Sequence, residues 1–119
     1  MSQNEEGQTY TRPWGSYRTL ALENDFQVKI LNINPGGRLS LQRHFKRSEH
    51  WVVVRGKPTL TIDDSVQEYQ RDQVVYIPLE SKHRIENFTD APCCVVEVQV
   101  GDYLGEDDIE RVDDVYGRK

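Results

Sequence analysis

Residues 35–56 read PGGRLSLQRHFKRSEHWVVVRG, a run that combines strand-like alternation with side chains able to bind a metal ion. Gln42 and His44 lie two positions apart, so on a strand their side chains point to the same face. Glu49 follows five positions after His44, and Gly56 closes the segment. An imidazole, a carboxylate and an amide oxygen on adjacent strands suit a divalent first-row metal. The stretch therefore predicts a metal centre built on two strands.

A second segment, YIPLESKHRIEN at residues 76–87, supplies a candidate for the fourth ligand, His83. It is typical of a strand followed by a turn, with Pro78 at the bend. The predicted metal ligands are then Gln42, His44, Glu49 and His83. These donors do not select one metal, so Zn, Mn, Co, Ni and Fe(II) all remain open. The alternative is that both histidines are simply half-buried and hydrogen-bonded by their neighbours.

The two segments resemble the paired motifs of the cupin superfamily. In the first motif Gly36, His44, Glu49 and Gly56 are in register, and Gln42 stands where the first histidine usually lies. In the second motif Pro78, His83 and Asn87 fit, while Asp72 and Glu80 stand where the superfamily has glycine. The resemblance strengthens the prediction of a shared metal ion.

Four segments resemble, more narrowly, the type II phosphomannose isomerase family. They are RPWGSY (12–17), LSLQRHFKRSEHWVVVRG (39–56), IPLESKHRIEN (77–87) and EVQVGDYLGEDDIERVDDVYGR (97–118). Glutamine in place of the first histidine is a trait of that family. Its members are often the C-terminal domain of a fused mannose-1-phosphate guanylyltransferase. The resemblance implies a metal-dependent isomerase that interconverts mannose 6-phosphate and fructose 6-phosphate.

Short strands separated by turn signals, without a long helical period, predict an all-β sandwich or barrel. The resemblance implies a cupin double-stranded β-helix, a jelly-roll barrel, and 119 residues suffice for one domain, residues 1–119. We expect residues 1 to about 10 to be flexible. We also expect a short C-terminal helical turn that starts at Asp107 or Asp108. Phe26, Val28 and Ile30 alternate with Gln27 and Lys29, which predicts a half-buried strand.

Moving a proton between adjacent sugar carbons needs a base and a cation that holds the developing oxyanion. The candidate catalytic residues are Glu49, Glu97 and His50. Glu97 lies on an otherwise apolar strand, where a buried carboxylate requires either a partner or a task. The sequence leaves open whether Glu49 or Glu97 is the base, and His50 has an equally plausible structural reading.

A phosphorylated substrate also needs a cationic anchor, and arginine matches phosphate oxygens in pairs. Arg43, Lys46 and Arg47 cluster beside the first ligand strand, and Arg84 directly follows His83. We rank Arg47 first, since it lies within the family signature, and Arg84 second. Gln99, on the same predicted strand face as Glu97, completes the substrate-binding candidates.

Charge and composition limit the kinds of partner that we expect this chain to bind. The net charge is −5 and the pI is about 5.2, so we expect no general attraction to nucleic acid or anionic membrane surfaces. We find no apolar run near the roughly 18 residues of a membrane span, and no signal peptide. Adjacent Cys93 and Cys94 read as free thiols of a reducing compartment, which favours the cytoplasm. Exposed strand edges favour a homodimer.

Two other functions remain open at this point. One is a non-catalytic module that binds a sugar or sugar phosphate, since the chain lacks the glycine-rich nucleotide-binding segment of the fused enzymes. The other is a different cupin chemistry, either epimerisation of a nucleotide sugar or iron-dependent dioxygenation.

Overall fold

Eleven β-strands and no helix make up residues 4–113, the part of the chain that the computed structural model describes. The strands are β1 (Thr9–Arg12), β2 (Gly15–Leu22), β3 (Phe26–Ile33), β4 (Leu41–Arg43), β5 (Arg47–Arg55), β6 (Thr59–Ile62), β7 (Ser65–Glu68), β8 (Val74–Ile77), β9 (His83–Glu86), β10 (Cys93–Gly101) and β11 (Glu110–Asp113). The prediction of an all-β fold is confirmed. No helix long and apolar enough to cross a bilayer occurs in this range.

The strands form two antiparallel sheets whose inner faces meet. Sheet A has six strands in the order β1-β2-β3-β10-β5-β8, and sheet B has five in the order β11-β4-β9-β6-β7. Crossovers between the sheets place β10 between β3 and β5, and β9 between β4 and β6. The two segments singled out in the sequence therefore lie on facing sheets: β5 belongs to sheet A, while β4 and β9 are neighbours in sheet B.

The inner face of sheet A changes from apolar to polar along its strands. Across β3 and β10 the inward pairs are Ile33 with Cys93, Leu31 with Val95, Lys29 with Glu97 and Gln27 with Gln99. The apolar end packs against Trp51, Leu60, Ile77 and Ile85 and forms the hydrophobic core. The polar end is also buried, so the fold encloses a polar chamber beside its core.

The strand predicted around residues 26–30 exists, but its apolar side chains face outward. Gln27 and Lys29 are buried, whereas Phe26, Val28 and Ile30 are only half-buried on the outer face of sheet A. The alternation of polar and apolar residues correctly predicted which side chains share a face of this strand. The inner face of this strand is the polar one because it lines the chamber.

Several tight turns among residues 4–113 contain a residue with positive φ, including those at Gly56, Asp72 and Glu80. Gly56 has φ +79, and a Cβ there would lie 2.8 Å from both Cys93 Sγ and the Pro92 carbonyl oxygen. Asp72 and Glu80, which stand where the superfamily has glycine, keep φ values of 77 and 66. The backbone therefore retains the glycine conformation, at a steric cost that is larger for Glu80.

The two ends of the described chain differ from expectation. Thr9 and Tyr10 belong to β1, and the buried Asn4 donates a hydrogen bond to Gln27 at 3.0 Å, so residues 4–10 are tied to sheet A. The predicted helical turn at Asp107 or Asp108 is wrong. Residues 106–108 form a turn, and the chain then pairs with β4 as β11, because that pairing provides hydrogen bonds along the edge of sheet B.

Candidate metal centre

His44, Glu49 and His83 converge between the two sheets. Glu49 points inward from β5, His83 begins β9, and His44 directly follows β4. His44 Nε2 lies 3.2 Å from one Glu49 oxygen, and His83 Nε2 lies 3.7 Å from the other. The ligand atoms of the three residues all lie within 4.8 Å of one another, and each residue is at most 4% exposed. Gln42 is the direct register partner of His83 on β4.

Backbone carbonyls orient both imidazole rings. His44 Nδ1 lies 2.5 Å from the Asp108 carbonyl oxygen, and His83 Nδ1 lies 2.9 Å from that of Ser81. A carbonyl only accepts, so each Nδ1 donates, and in the neutral His44 ring this leaves Nε2 as an acceptor. Burial lowers the pKa of His44 to about 4 despite the opposing charge of Glu49. The ring is therefore neutral at pH 7 and suited to bind a cation.

The Arg47 guanidinium lies directly against these donors. Its Nε donates to Glu49 at 3.1 Å, and its Nη2 donates to His44 Nε2 at 3.1 Å. Burial opposes ionisation of Glu49, but pairing with the two histidines and Arg47 lowers its pKa. The anionic carboxylate is thus satisfied by positive charge, and a cation held by His44 and Glu49 would replace the contact from Arg47.

The second buried carboxyl group, Glu97, lies beside the first. Trp51 Nε1 donates to both Glu49 and Glu97, at 3.1 Å each. Gln99 donates to the other Glu97 oxygen at 2.6 Å, and Gln27 donates to Gln99 at 2.9 Å. Burial and the negative charge of Glu49 raise the pKa of Glu97 to about 8. The two groups therefore ionise at different pH values, and near neutrality the proton lies mainly on Glu97.

His44, Glu49, His83 and Glu97 line one cavity of about 80 Å³. Gln42 lines it and donates its amide hydrogen to Ser40 Oγ at 3.0 Å, which leaves the amide oxygen for another partner. The cavity thus contains a possible cation site and a second titratable carboxyl group side by side.

The donor set suits a divalent metal. Ligands about 2.0–2.2 Å from a shared ion lie at most about 4.4 Å apart, and both His–Glu distances fall inside that limit. Each histidine has the backbone hydrogen bond on Nδ1 that commonly orients metal-binding imidazoles. His44, Glu49 and His83 could therefore hold the ion, with the Gln42 oxygen as a fourth donor.

Three predicted site residues point away from the cavity. His50 is exposed on the outer face of β5, its ring 4.8 Å from that of Tyr76. Arg43 faces outward from β4 and pairs with Glu110 at 2.6 Å. Lys46 is exposed over the Tyr103 ring. Strand alternation explains the first two cases, since inward Glu49 and Gln42 are their immediate neighbours.

The other two substrate-binding candidates, Arg84 and Gln99, stay predictions, and their surroundings differ. Arg84 contributes to the cavity wall, but its neighbours His83 and Ile85 are the inward residues of β9, and its side chain pairs with Glu86 at 3.6 Å and Asp113 at 3.4 Å. Gln99 is fully buried behind Glu97 and does not line the cavity. It positions the Glu97 carboxyl group through their hydrogen bond.

Sequence reasoning missed several cavity residues. Lys29 is buried and pairs with Glu106 at 3.0 Å, and Glu106 also lies 3.6 Å from Arg47. Arg12 and Arg111 line the mouth. Lysine alternating with apolar residues on β3 was a usable signal for Lys29. For Arg12 and Arg111 the only signal was the match of their segments to the family pattern.

Comparison with known proteins places this geometry in a family. A family model described as mannose-6-phosphate isomerase C-terminal matches residues 1–114. The alginate biosynthesis protein AlgA of Pseudomonas aeruginosa is 51% identical over 107 residues, 90% of this chain and 22% of that protein. The mannose-1-phosphate guanylyltransferase of Escherichia coli is 43% identical over 107 residues, also 90% of this chain and 22% of the relative. The chain thus spans less than a quarter of their length.

A solved structure identifies the fold. A sugar phosphate isomerase of the cupin superfamily from Silicibacter pomeroyi superposes with a TM-score of 0.65 at 25% identity, covering 71% of this chain and 58% of that one. Together with the two antiparallel sheets, the match identifies a cupin double-stranded β-helix. The chain is a cupin domain that belongs to the mannose-6-phosphate isomerase C-terminal family.

Proposed function

We propose that this domain is a metal-dependent aldose–ketose isomerase that interconverts mannose 6-phosphate and fructose 6-phosphate. The observation that supports it best is the pairing of two unlike carboxyl groups in one cavity. The pKa of Glu49 is lowered and its oxygens face the Nε2 atoms of His44 and His83, whereas the pKa of Glu97 is raised to about 8. Groups with separated pKa values suit a division between cation ligand and proton carrier.

In this proposal Glu49 is a ligand and Glu97 is the base. Glu49 contacts both histidines, while the described contacts of Glu97 are with Trp51, Gln99 and Glu49. Once ionised, which its pKa of about 8 makes more frequent as the pH rises toward 8, the Glu97 carboxylate accepts the proton from C2 of the aldose and returns it to C1, as the O2 proton is lost and O1 gains one. Hydrogen bonds from Trp51 and Gln99 hold the carboxylate in place. A divalent ion, when bound, stabilises the negative charge on the enediolate oxygens.

Loss of the metal should abolish turnover. We expect metal-loaded protein to interconvert the two hexose phosphates, with activity lost after chelation and restored by one of the divalent ions Zn, Mn, Co, Ni or Fe. A coupled assay measures turnover, and elemental analysis measures the metal. Failure of correctly folded protein to turn over with all five ions would reject the isomerase proposal.

A sugar-phosphate-binding module is the second candidate, because the relatives are more than four times longer than this domain. Their remaining length could carry the chemistry to which the cupin contributes only binding. Calorimetry separates the two functions: binding of mannose 6-phosphate without turnover under any metal supports the module.

We also propose that the domain forms a homodimer through the outer face of sheet A. Cross-strand pairs give this face several apolar contacts: Val28 with Val98, Ile30 with Val96, Val96 with Val52, and Val52 with Val74. His50 lies between Val98 and Tyr76 on the same face. Val74 and Tyr76 are 60% and 53% exposed. Glu23, Asp25 and Asp102 are exposed at one end of the sheet, and Arg55 and Lys57 at the other. A two-fold axis across the strands would place opposite charges together, which favours a second copy as the partner.

Replacing Val98 with lysine should therefore convert the dimer to a monomer, because a charge at the centre of the face would be buried without a partner. Sedimentation velocity measures the change. Val66→Lys is the matched control, since Val66 is 62% exposed on β7 of the other sheet. A monomeric wild-type protein, or a Val98→Lys variant that stays dimeric, would contradict this interface.

A further inference from the structure

Among residues 4–113, five lysine and arginine side chains line the cavity, and carboxylates of the domain engage three of them. Arg47 pairs with Glu49 and Glu106, Lys29 pairs with Glu106, and Arg84 pairs with Glu86 and Asp113. For the other two, Arg12 and Arg111, residues 4–113 provide no ion pair. Arg47 Nη1 and Arg84 Nε are buried without a hydrogen-bond partner, as is Arg111 Nε, but only Arg12 and Arg111 lack a carboxylate partner among residues 4–113.

Arg111 points into the cavity and has an unused donor. It is the register partner of Gln42 on β4, and Gln42 in turn pairs with His83, so the three residues form one row across the inner face of sheet B. Its Nε is buried and has no hydrogen-bond partner in the described structure. Its acidic neighbours Glu110 and Asp113 are engaged by other arginines. A buried guanidinium N–H without a partner is costly unless a ligand satisfies it.

Arg12 approaches the mouth from the facing sheet. It ends β1, and its guanidinium carbon lies 5.8 Å and 5.3 Å from the ring centres of Tyr10 and Tyr17. The two rings stack on each other 4.9 Å apart. The only hydrogen bond described for its side chain goes to the neighbouring Thr11 carbonyl oxygen. Cation–π contacts thus hold the guanidinium in place without neutralising it.

We propose that Arg111 and Arg12 bind the phosphate group of a sugar phosphate whose reacting carbons lie over His44, Glu49 and His83. The proposal rests on the isomerase function proposed above and adds its phosphate anchor. Two strand spacings, about 10 Å, separate the backbones of Arg111 and His83. That separation suits a substrate with its reacting carbons and its phosphate at opposite ends of a six-carbon chain. Two guanidinium groups can share the phosphate oxygens in paired hydrogen bonds.

The test compares Arg111→Met and Arg12→Met with Arg43→Met in the metal-loaded full chain. Arg43 is a matched control, since it adjoins Gln42 on β4 but faces outward. Calorimetry with mannose 6-phosphate should show affinity reduced about 10- to 100-fold in each cavity variant. Affinity for unphosphorylated mannose, the metal content and the binding by Arg43→Met should stay at wild-type values. Arg111→Lys, which keeps the charge, should fall between Arg111→Met and wild type.

Binding and turnover separate this proposal from the isomerase function. If folded Arg111→Met and Arg12→Met bind mannose 6-phosphate as wild type does, the anchor is rejected, even when the wild-type protein is an active isomerase. Equal wild-type affinity for mannose and mannose 6-phosphate also rejects it. If affinity depends on both arginines but no metal supports turnover, the anchor stands and the isomerase proposal fails.

Discussion

His44→Ala and His83→Ala should each reduce metal affinity more than about 100-fold, which exceeds the effect of losing an outer hydrogen-bond partner of a ligand. Each substitution removes one Nε2 donor from the set that faces Glu49. Elemental analysis of purified protein should find the metal reduced from one ion per chain to a trace, and isomerase activity should fall with it. Circular dichroism should still report a folded all-β domain, because the hydrophobic core lies mainly at the other end of the sheets.

The third histidine provides the matched control. His50 is exposed and packs on Tyr76 outside the cavity, so His50→Ala should keep the full metal content. If either cavity variant retains one ion per chain with unchanged affinity, the ligands have been assigned incorrectly.

Glu97→Gln should lower kcat about 10²- to 10⁴-fold, the range for loss of a positioned acid or base, while metal content stays constant. The amide keeps the size of the carboxyl group but cannot carry a proton between carbons. The amide oxygen can accept from only one of Trp51 and Gln99, which both donate to the carboxyl group, so the variant should be somewhat less stable to heat than wild type. Turnover in D₂O followed by NMR should show that solvent deuterium no longer enters the substrate at C2.

A second buried carboxyl group, Glu86, provides the control for whether the loss of kcat is specific to the cavity. Glu86 is 4% exposed on the outer face of sheet B and pairs with Arg38 at 2.6 Å. Glu86→Gln should cost stability but leave kcat close to wild type. Exchange at C2 that persists at the wild-type rate in Glu97→Gln would remove Glu97 from the role of base.

Local sequence patterns predicted where the strands lie better than they predicted which face of each strand is buried. The strand predicted from Phe26, Val28 and Ile30 begins where β3 begins, and β3 continues to Ile33. Alternation on β3 separated Gln27 and Lys29 from the apolar side chains, but it could not indicate which face is interior. That choice depends on the polar chamber, which several strands far apart in sequence create together.

The candidate site likewise combines features that a short stretch of sequence predicts with features that depend on residues far apart in the chain. The motif spacing predicted that His44, Glu49 and His83 would come together. The basic residues were ranked by nearness to that motif, but their roles depend on partners far along the chain. Arg43 pairs with Glu110, 67 residues away, and Arg84 with Asp113, 29 residues away. No local pattern could have shown that these arginines were already engaged, or that Arg111 was available.

The segment from Leu104 to Asp113 has a consequence for synthesis on the ribosome. It contributes Glu106 to Lys29 and Arg47, the Asp108 carbonyl to His44, and Arg111 to the mouth. The Asp108 carboxylate also accepts hydrogen bonds from the backbone N–H groups of Phe45 and Lys46. The other ten strands precede this segment and leave the exit tunnel first. A nascent chain that has formed sheet A and the other four strands of sheet B still lacks the Asp108 carbonyl that orients His44. The metal centre therefore forms only after translation has passed Asp108.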